Sequence, residues 1–225
     1  MTAARDRQDG VALVAMLLPL VVAAAAAAVP PAAPSMDVAG GAAFAAALGP
    51  LRAKVGAWAE YLIRSHGQED VRVRLSLIPP ALEQDRAWVE VTALGEHTLP
   101  FAARLLVGRE GGLERAVLYA LGQAPIEVPV AREQGEGAKS RRHVRAPRAT
   151  RIGSVTVRAG TFEVEELRVG SGGAATRVWR APQVPLWGLV RADGPRQTVE
   201  LTAYGVQGAR SVFPDAQGKG SESTK

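Results

Sequence analysis

A chain of 225 residues with 47% apolar content is long enough and apolar enough to bury a core, which excludes disorder of the whole chain. It contains no cysteine, and this removes disulfides, thiolate metal sites, cysteine nucleophiles and lipid attachment through an N-terminal cysteine together. The net charge of +5 rests on arginine, since only four of the 27 cationic residues are lysines; with Ala, Gly, Val and Pro also abundant, this is the composition of a GC-rich bacterial genome and no evidence for nucleic-acid binding.

The first element is an apolar run from Val11 to Val29 that follows a short polar stretch and ends in a block of alanines before Pro30 and Pro31. That order is the order of a secretory signal helix, and Ala26 and Ala28 meet the small-x-small requirement for cleavage after Ala28. The competing reading is an uncleaved inner-membrane anchor over residues 11–29, because a spanning helix needs about 20 apolar residues. Alanine contributes little to insertion, and Pro19 interrupts the helix, so the signal is preferred. On this reading residues 1–28 are a signal peptide in transient contact with the membrane, and the protein is periplasmic or otherwise extracytoplasmic. Residues 29–50, rich in Ala, Pro and Gly, form a linker.

From Leu51 onward the pattern turns to period two. Val71, Val73, Leu75 and Leu77 face one way while Arg72, Arg74 and Ser76 face the other, the mark of a half-buried strand. Further strands are expected at Val55–Arg64, Arg86–Ala93, Phe101–Val107, Leu113–Leu121, Val155–Val169, Thr176–Trp179 and Thr198–Tyr204. Turn residues punctuate them, including Gly111-Gly112, Gly170 to Gly173 and Asp193-Gly194-Pro195. Arg132 to Ser140 reads as a long loop, and 215–225 as a solvated tail. The expected fold is therefore mainly β, an antiparallel half-open barrel or strongly curved sheet with few helices, in a single domain over 51–214.

Several chemistries fail on spacing. His66, His97 and His143 lie far apart with no acidic or histidine partner at ligand spacing, so no metal is expected. Gly170-Ser171-Gly172-Gly173 lacks the spacing of a nucleophile elbow, and it joins two strands where a dinucleotide fingerprint needs a helix N-terminus, so no cofactor is expected either. Glu163 and Glu165 share a strand face, which an alternating strand ordinarily gives to solvent. The densest charge is Lys139, Arg141, Arg142, His143, Arg145, Arg148 and Arg151, with no acidic residue among them. It reads first as a solvated loop and strand edge and second as an anion- or partner-docking stretch carried by Arg141, Arg142, Arg145 and Arg148. It has no aromatic residue for base stacking, so nucleic acid is not expected as a partner.

The most recognisable text lies in the second half: Ala159-Gly160-Thr161-Phe162, then Val178-Trp179-Arg180-Ala181-Pro182, Val184-Pro185-Leu186-Trp187-Gly188-Leu189-Val190 and Val199-Glu200-Leu201 before Tyr204-Gly205. This order, with Gly56-Ala57-Trp58-Ala59-Glu60-Tyr61 as an opening strand, resembles uncharacterised bacterial envelope proteins and, more remotely, the outer-membrane lipoprotein carriers. The resemblance implies a half-open β-barrel whose apolar cavity accepts acyl chains. Independently, a curved sheet with few helices leaves an apolar hollow on its concave side, and Trp58, Trp88, Trp179 and Trp187, with Leu189, are the candidate ligand-binding residues there. The competing assignment makes the four tryptophans ordinary core or sheet-corner aromatics. The functional expectation is a non-catalytic envelope protein binding a lipid or the acyl part of a lipoprotein. Its rivals are a scaffold that docks onto another envelope protein through the basic stretch, and an enzyme whose residues meet only in three dimensions.

Overall fold

Alternation dominates the folded part, and the computed structural model realises it as eleven strands in one sheet. The structure describes residues 51–52, 54–83, 86–95, 101–108, 113–120, 124–128, 151–169 and 175–212. In chain order the strands are β1 (Trp58–Ser65), β2 (Val71–Glu83), β3 (Arg86–Leu94), β4 (Phe101–Gly108), β5 (Leu113–Ala120), β6 (Ile126–Val128), β7 (Arg151–Val157), β8 (Gly160–Val169), β9 (Thr176–Arg180), β10 (Leu189–Asp193) and β11 (Gln197–Gly205). No helix occurs among the described residues. The segments 1–28, 29–50 and 215–225 and the basic stretch 139–150 lie outside the described residues.

The strand order is β6-β5-β4-β3-β2-β1-β11-β10-β9-β8-β7, and all neighbouring pairs are antiparallel. From β1 the chain steps outward to one edge at β6. It then restarts at the opposite edge with β7 and steps back until β11 lies beside β1. Two meanders are thus joined along a central β1–β11 seam, and the sheet is curved and unclosed. Its curvature is strong enough to bring β7 against β10 and β11, although β8 and β9 lie between them in the sheet. The backbone N–H of Ala159, in the β7–β8 turn, reaches the Leu201 carbonyl on β11 at 3.3 Å.

One face of the sheet is the core. Ala59, Tyr61 and Ile63 of β1 join Val73, Leu75 and Leu77 of β2, Val89 and Val91 of β3, and Val199 and Leu201 of β11 in one buried cluster with Val178 of β9 and Leu167 of β8. The period-two spacing in each strand puts these residues on the same side, and burial of a side chain of this size contributes about 1.5–3 kcal/mol.

Three differences from the sequence expectation have physical causes. The expected strand Val155–Val169 is two strands, because Arg158-Ala159 turn the chain and Gly160 takes φ +133°, a conformation that suits glycine. β2 runs past Leu77 to Glu83, with residues 78–81 opposite only Trp88 of β3 between the Leu77↔Val89 and Leu82↔Ala87 pairs. Pro79 and Pro80 occupy that bulge, where no ladder N–H is required. Finally, Val55 is not in β1, since residues 55–56 form a turn that leads into Trp58.

The second face is partly covered as well. After β11 the chain crosses the outer side of β1 to reach β3 and β4: the Trp58 indole N–H donates to the Gln207 carbonyl at 3.2 Å, and Ser211 Oγ and the Val212 N–H both donate to the Glu90 carboxylate, at 2.8 and 2.9 Å. Arg104 lies beside that carboxylate at 3.6 Å and donates to Ser211 Oγ at 3.0 Å. Glu90 is only 1% exposed, which is why it carries this set of partners.

Candidate functional site

The four tryptophans do not converge. Trp58 and Trp88 alternate with the core residues Ala59, Ala87 and Val89 and so stand on the outer face, Trp58 beneath Arg74, whose guanidinium carbon is 4.6 Å from the ring centroid. Trp179 is half-buried at the margin of the core, with Arg177 and Arg191 over its ring at 5.3 and 5.8 Å. Trp187 alone of the four is part of the buried cluster, 9% exposed, together with Leu189 at 7%. The expectation of a common aromatic lining is corrected by strand alternation: neighbouring positions of a strand cannot both face inward. Side chains of the inner face pack on one another, because the sheet curls until β7 meets β10 and β11.

Among the described residues a cleft lies open at the β9–β10 corner. It has a volume of about 180 Å³ and is lined by Arg52, Glu165, Arg180, Ala181, Pro182, Val184, Trp187 and Gly188. Residues 181–188 build it. Ala181 and Gly188 close the corner through an N–H to carbonyl bond of 2.8 Å, and Val184 donates to Ala181 O at 3.2 Å. Gly188 has φ +74°, and a Cβ there would meet the Ala181 carbonyl oxygen at 2.9 Å, so this position requires glycine. Leu186 has φ +66° without being glycine, yet its side chain is fully buried and its carbonyl accepts the Arg52 N–H at 2.7 Å. Strained backbone of this kind costs about 1–3 kcal/mol and persists where the surroundings over-determine it. Pro185 sits in this corner between strands.

The cleft is chemically two-sided. Trp187, Val184 and Pro182 give an apolar wall, while Arg52 and Arg180 stand around it with one carboxylate, Glu165, which accepts from Arg180 at 3.4 Å. Arg180 is therefore already paired, and Arg52 is in solvent, so the mouth makes no strong demand for an anion. Beneath the corner, Tyr61 Oη donates to the Leu189 carbonyl at 3.2 Å. Burial pushes the Tyr61 phenol well above its ordinary range, so it stays a neutral donor.

Of the candidate residues, Trp187 lines the cleft and Leu189 packs directly below it. Arg141, Arg142, Arg145 and Arg148 lie outside the described residues. Sequence reasoning missed Arg52, Glu165, Arg180 and Val184. The Arg180↔Glu165 pairing needs the β8–β9 register, and the Arg52–Leu186 bridge joins positions far apart in sequence; no local pattern announces either. Glu163 and Glu165 are exposed, as an alternating strand predicts, and His66 is exposed too. Among the described residues there is no group of three His, Asp or Glu side chains arranged to hold a metal, and no helix long and apolar enough to cross a membrane.

No family model matches the chain, and no curated protein matches it in sequence. Two solved structures are similar in outline. One, from Bacteroides fragilis, is named for export and for a YmcC-like fold; it is 8% identical, with a TM-score of 0.38 over 70% of this chain and 99% of that one. The other, from Parabacteroides distasonis, is named as a lipoprotein; it is 12% identical, with a TM-score of 0.33 over 68% of this chain and 97% of its own. Likeness at these TM-scores assigns neither family nor function to this chain.

Proposed function

We propose that this is an exported, non-catalytic protein of the bacterial envelope that binds an apolar or amphipathic ligand, a lipid or the acyl part of a lipoprotein, at the β9–β10 corner. The observation that carries this reading is the apolar wall of Trp187, Val184 and Pro182 in the cleft, at the end of the buried core. A volume of about 180 Å³ is below the 300–1,000 Å³ of a typical small-molecule pocket, so it suits a segment of a ligand, such as the end of an acyl chain, better than a whole cofactor. Support for export comes from the N-terminal segment, with its apolar run and small-residue exit.

Native mass spectrometry of the protein purified from its own envelope tests both parts. A chain beginning near Val29 with an adduct that releases fatty acyl chains is the expected result. Trp187→Ala removes cleft wall and core together and costs about 3 kcal/mol of stability, so Pro182→Asp is the cleaner probe, placing a charge on the exposed part of the wall. Pro182→Asp should strip the adduct while leaving the circular dichroism spectrum unchanged. An adduct that survives this substitution, or a protein that carries none, overturns the binding site.

A further inference from the structure

An unclosed sheet ends in two edge strands, here β6 and β7. β6 is three residues long and carries the charge of Glu127. β7 is seven residues long and lacks the devices that ordinarily blunt an edge: from Ile152 to Val157 it has no charge and no proline, and its ladder with β8 has no bulge.

The register shows which amides of β7 are left over. Val157 and Gly160 close a two-residue hairpin, so they exchange hydrogen bonds with each other, and the exchange recurs at every second position, Val155 with Phe162 and Gly153 with Val164. Ile152, Ser154 and Thr156 therefore direct their N–H and carbonyl groups away from β8, and none of these groups meets another backbone group among the described residues. All three residues are exposed, Ile152 at 78%.

This free edge is complementary to itself. Two copies of β7 laid antiparallel about Ser154 set Ser154 against the second copy's Ser154 and Ile152 against its Thr156, all of them positions whose bonding groups face outward, so about six N–H to carbonyl bonds can form. The same register sets Gly153 against Val155 on the other face. A Cβ at Gly153 would meet nothing within 4 Å, which leaves space there for the half-buried Val155 of the second copy. No like charges are placed opposite each other, since Arg151 falls against Val157. Pairing of β7 with β6 would instead be head-to-tail, would engage only three residues and would not close.

We infer that β7 is an interaction surface for a second copy of this chain, joined edge to edge about Ser154 so that two eleven-stranded sheets continue as one. A seam of a single strand pair lies at the low end of interface sizes, below about 1,200 Å², so the dimer forms and dissociates reversibly at micromolar concentrations.

Sedimentation velocity of the purified protein from about 1 to 500 µM tests this, with a shift from monomer to dimer expected across the range. Ser154→Pro removes an N–H that only the dimer uses, at an edge strand where proline is tolerated, and Ile152→Lys adds an edge charge. Each should weaken association at least about tenfold while leaving the circular dichroism spectrum unchanged. Because the chain has no cysteine, Ser154→Cys supplies a single thiol at the two-fold centre. Hydrogen-bonded antiparallel partners have Cα atoms about 5.5 Å apart, within disulfide reach, so mild oxidation should cross-link Ser154→Cys and not Thr161→Cys, one strand further in on the same face. A protein that stays monomeric over the whole range overturns the inference. So does a dimer that neither Ser154→Pro nor Ile152→Lys weakens, or equal cross-linking at the two cysteine positions. The ligand cleft is tested separately, by the acyl adduct and Pro182→Asp.

Discussion

Single residues decide whether the β9–β10 corner exists. Gly188 and Gly67 both have positive φ, +74° and +73°, but a Cβ at Gly188 would meet the Ala181 carbonyl oxygen at 2.9 Å, whereas at Gly67 it would meet nothing within 4 Å. Gly67→Ala should therefore cost about 1 kcal/mol, the left-handed conformation alone, and Gly188→Ala about 2–3 kcal/mol once the clash is added. Urea denaturation of the two variants checks the difference; equal losses would mean that the corner relaxes freely. Glu200 gives a second residue-scale prediction. Burial works against its ionisation, but the hydrogen bonds from Arg64 and from the Arg158 backbone N–H, with the charges of both arginines, outweigh burial and hold its carboxyl below the ordinary glutamate range. The unfolded chain then takes up a proton at higher pH than the folded one does. The contribution of Glu200 is complete above the unfolded value of about 4.3 and is lost as pH falls through the lower folded value. Glu200→Gln should flatten this part of the stability profile in urea titrations between neutral pH and pH 3.

Among the elements, the segment after β11 shows how far sequence reading reaches. The pattern announced β2, β3, β4, β5 and β11: β2, β3 and β11 each have one apolar and one polar side, while β4 and β5 read as short apolar runs between turns. It did not announce β6, which is three residues long, or β10, whose Leu189 and Val190 are both buried. Nor did it reveal that the polar side of β3 is covered. Glu90 sits at an outer position of an alternating strand, where solvent is the ordinary neighbour, and only the chain returning from β11 turns it into a buried anchor. The cleft was legible to the same degree: Trp187 was visible as a large apolar residue in a proline- and glycine-rich corner, while Arg52 and Glu165 come to it from two other parts of the chain. The crossing segment has a testable energetic role. Arg104→Ala leaves the Glu90 carboxylate buried without its nearest cation and should cost about 3 kcal/mol. Thermal unfolding of Arg104→Ala against an Arg104→Ala/Glu90→Gln double variant, which removes the uncompensated charge, should show partial recovery.

For the whole molecule, the decisive arrangement is the pairing of the first strand with the last. Leu201 is fully buried on β11 and pairs with Tyr61 of β1, so it belongs to both meanders. Leu201→Ala should cost about 3 kcal/mol and lower amide protection in β2–β3 and in β9–β10 by the same amount, measured by native-state hydrogen exchange. Loss confined to β9–β10 would show that the two halves open independently.

The same arrangement sets an order of events during synthesis. β1 leaves the ribosome early and can zip up with β2, yet its other edge stays bare until β11 follows, 132 positions later counted from Ser65 to Gln197. For that interval the nascent chain carries an open template of unpaired amides in what will become its centre, flanked by Leu62 and Ile63, and any foreign strand could add to it. A chain built this way benefits from being kept extended until it is complete, and a holdase that shields the β1 edge would raise its yield more than one that acts on either outer edge.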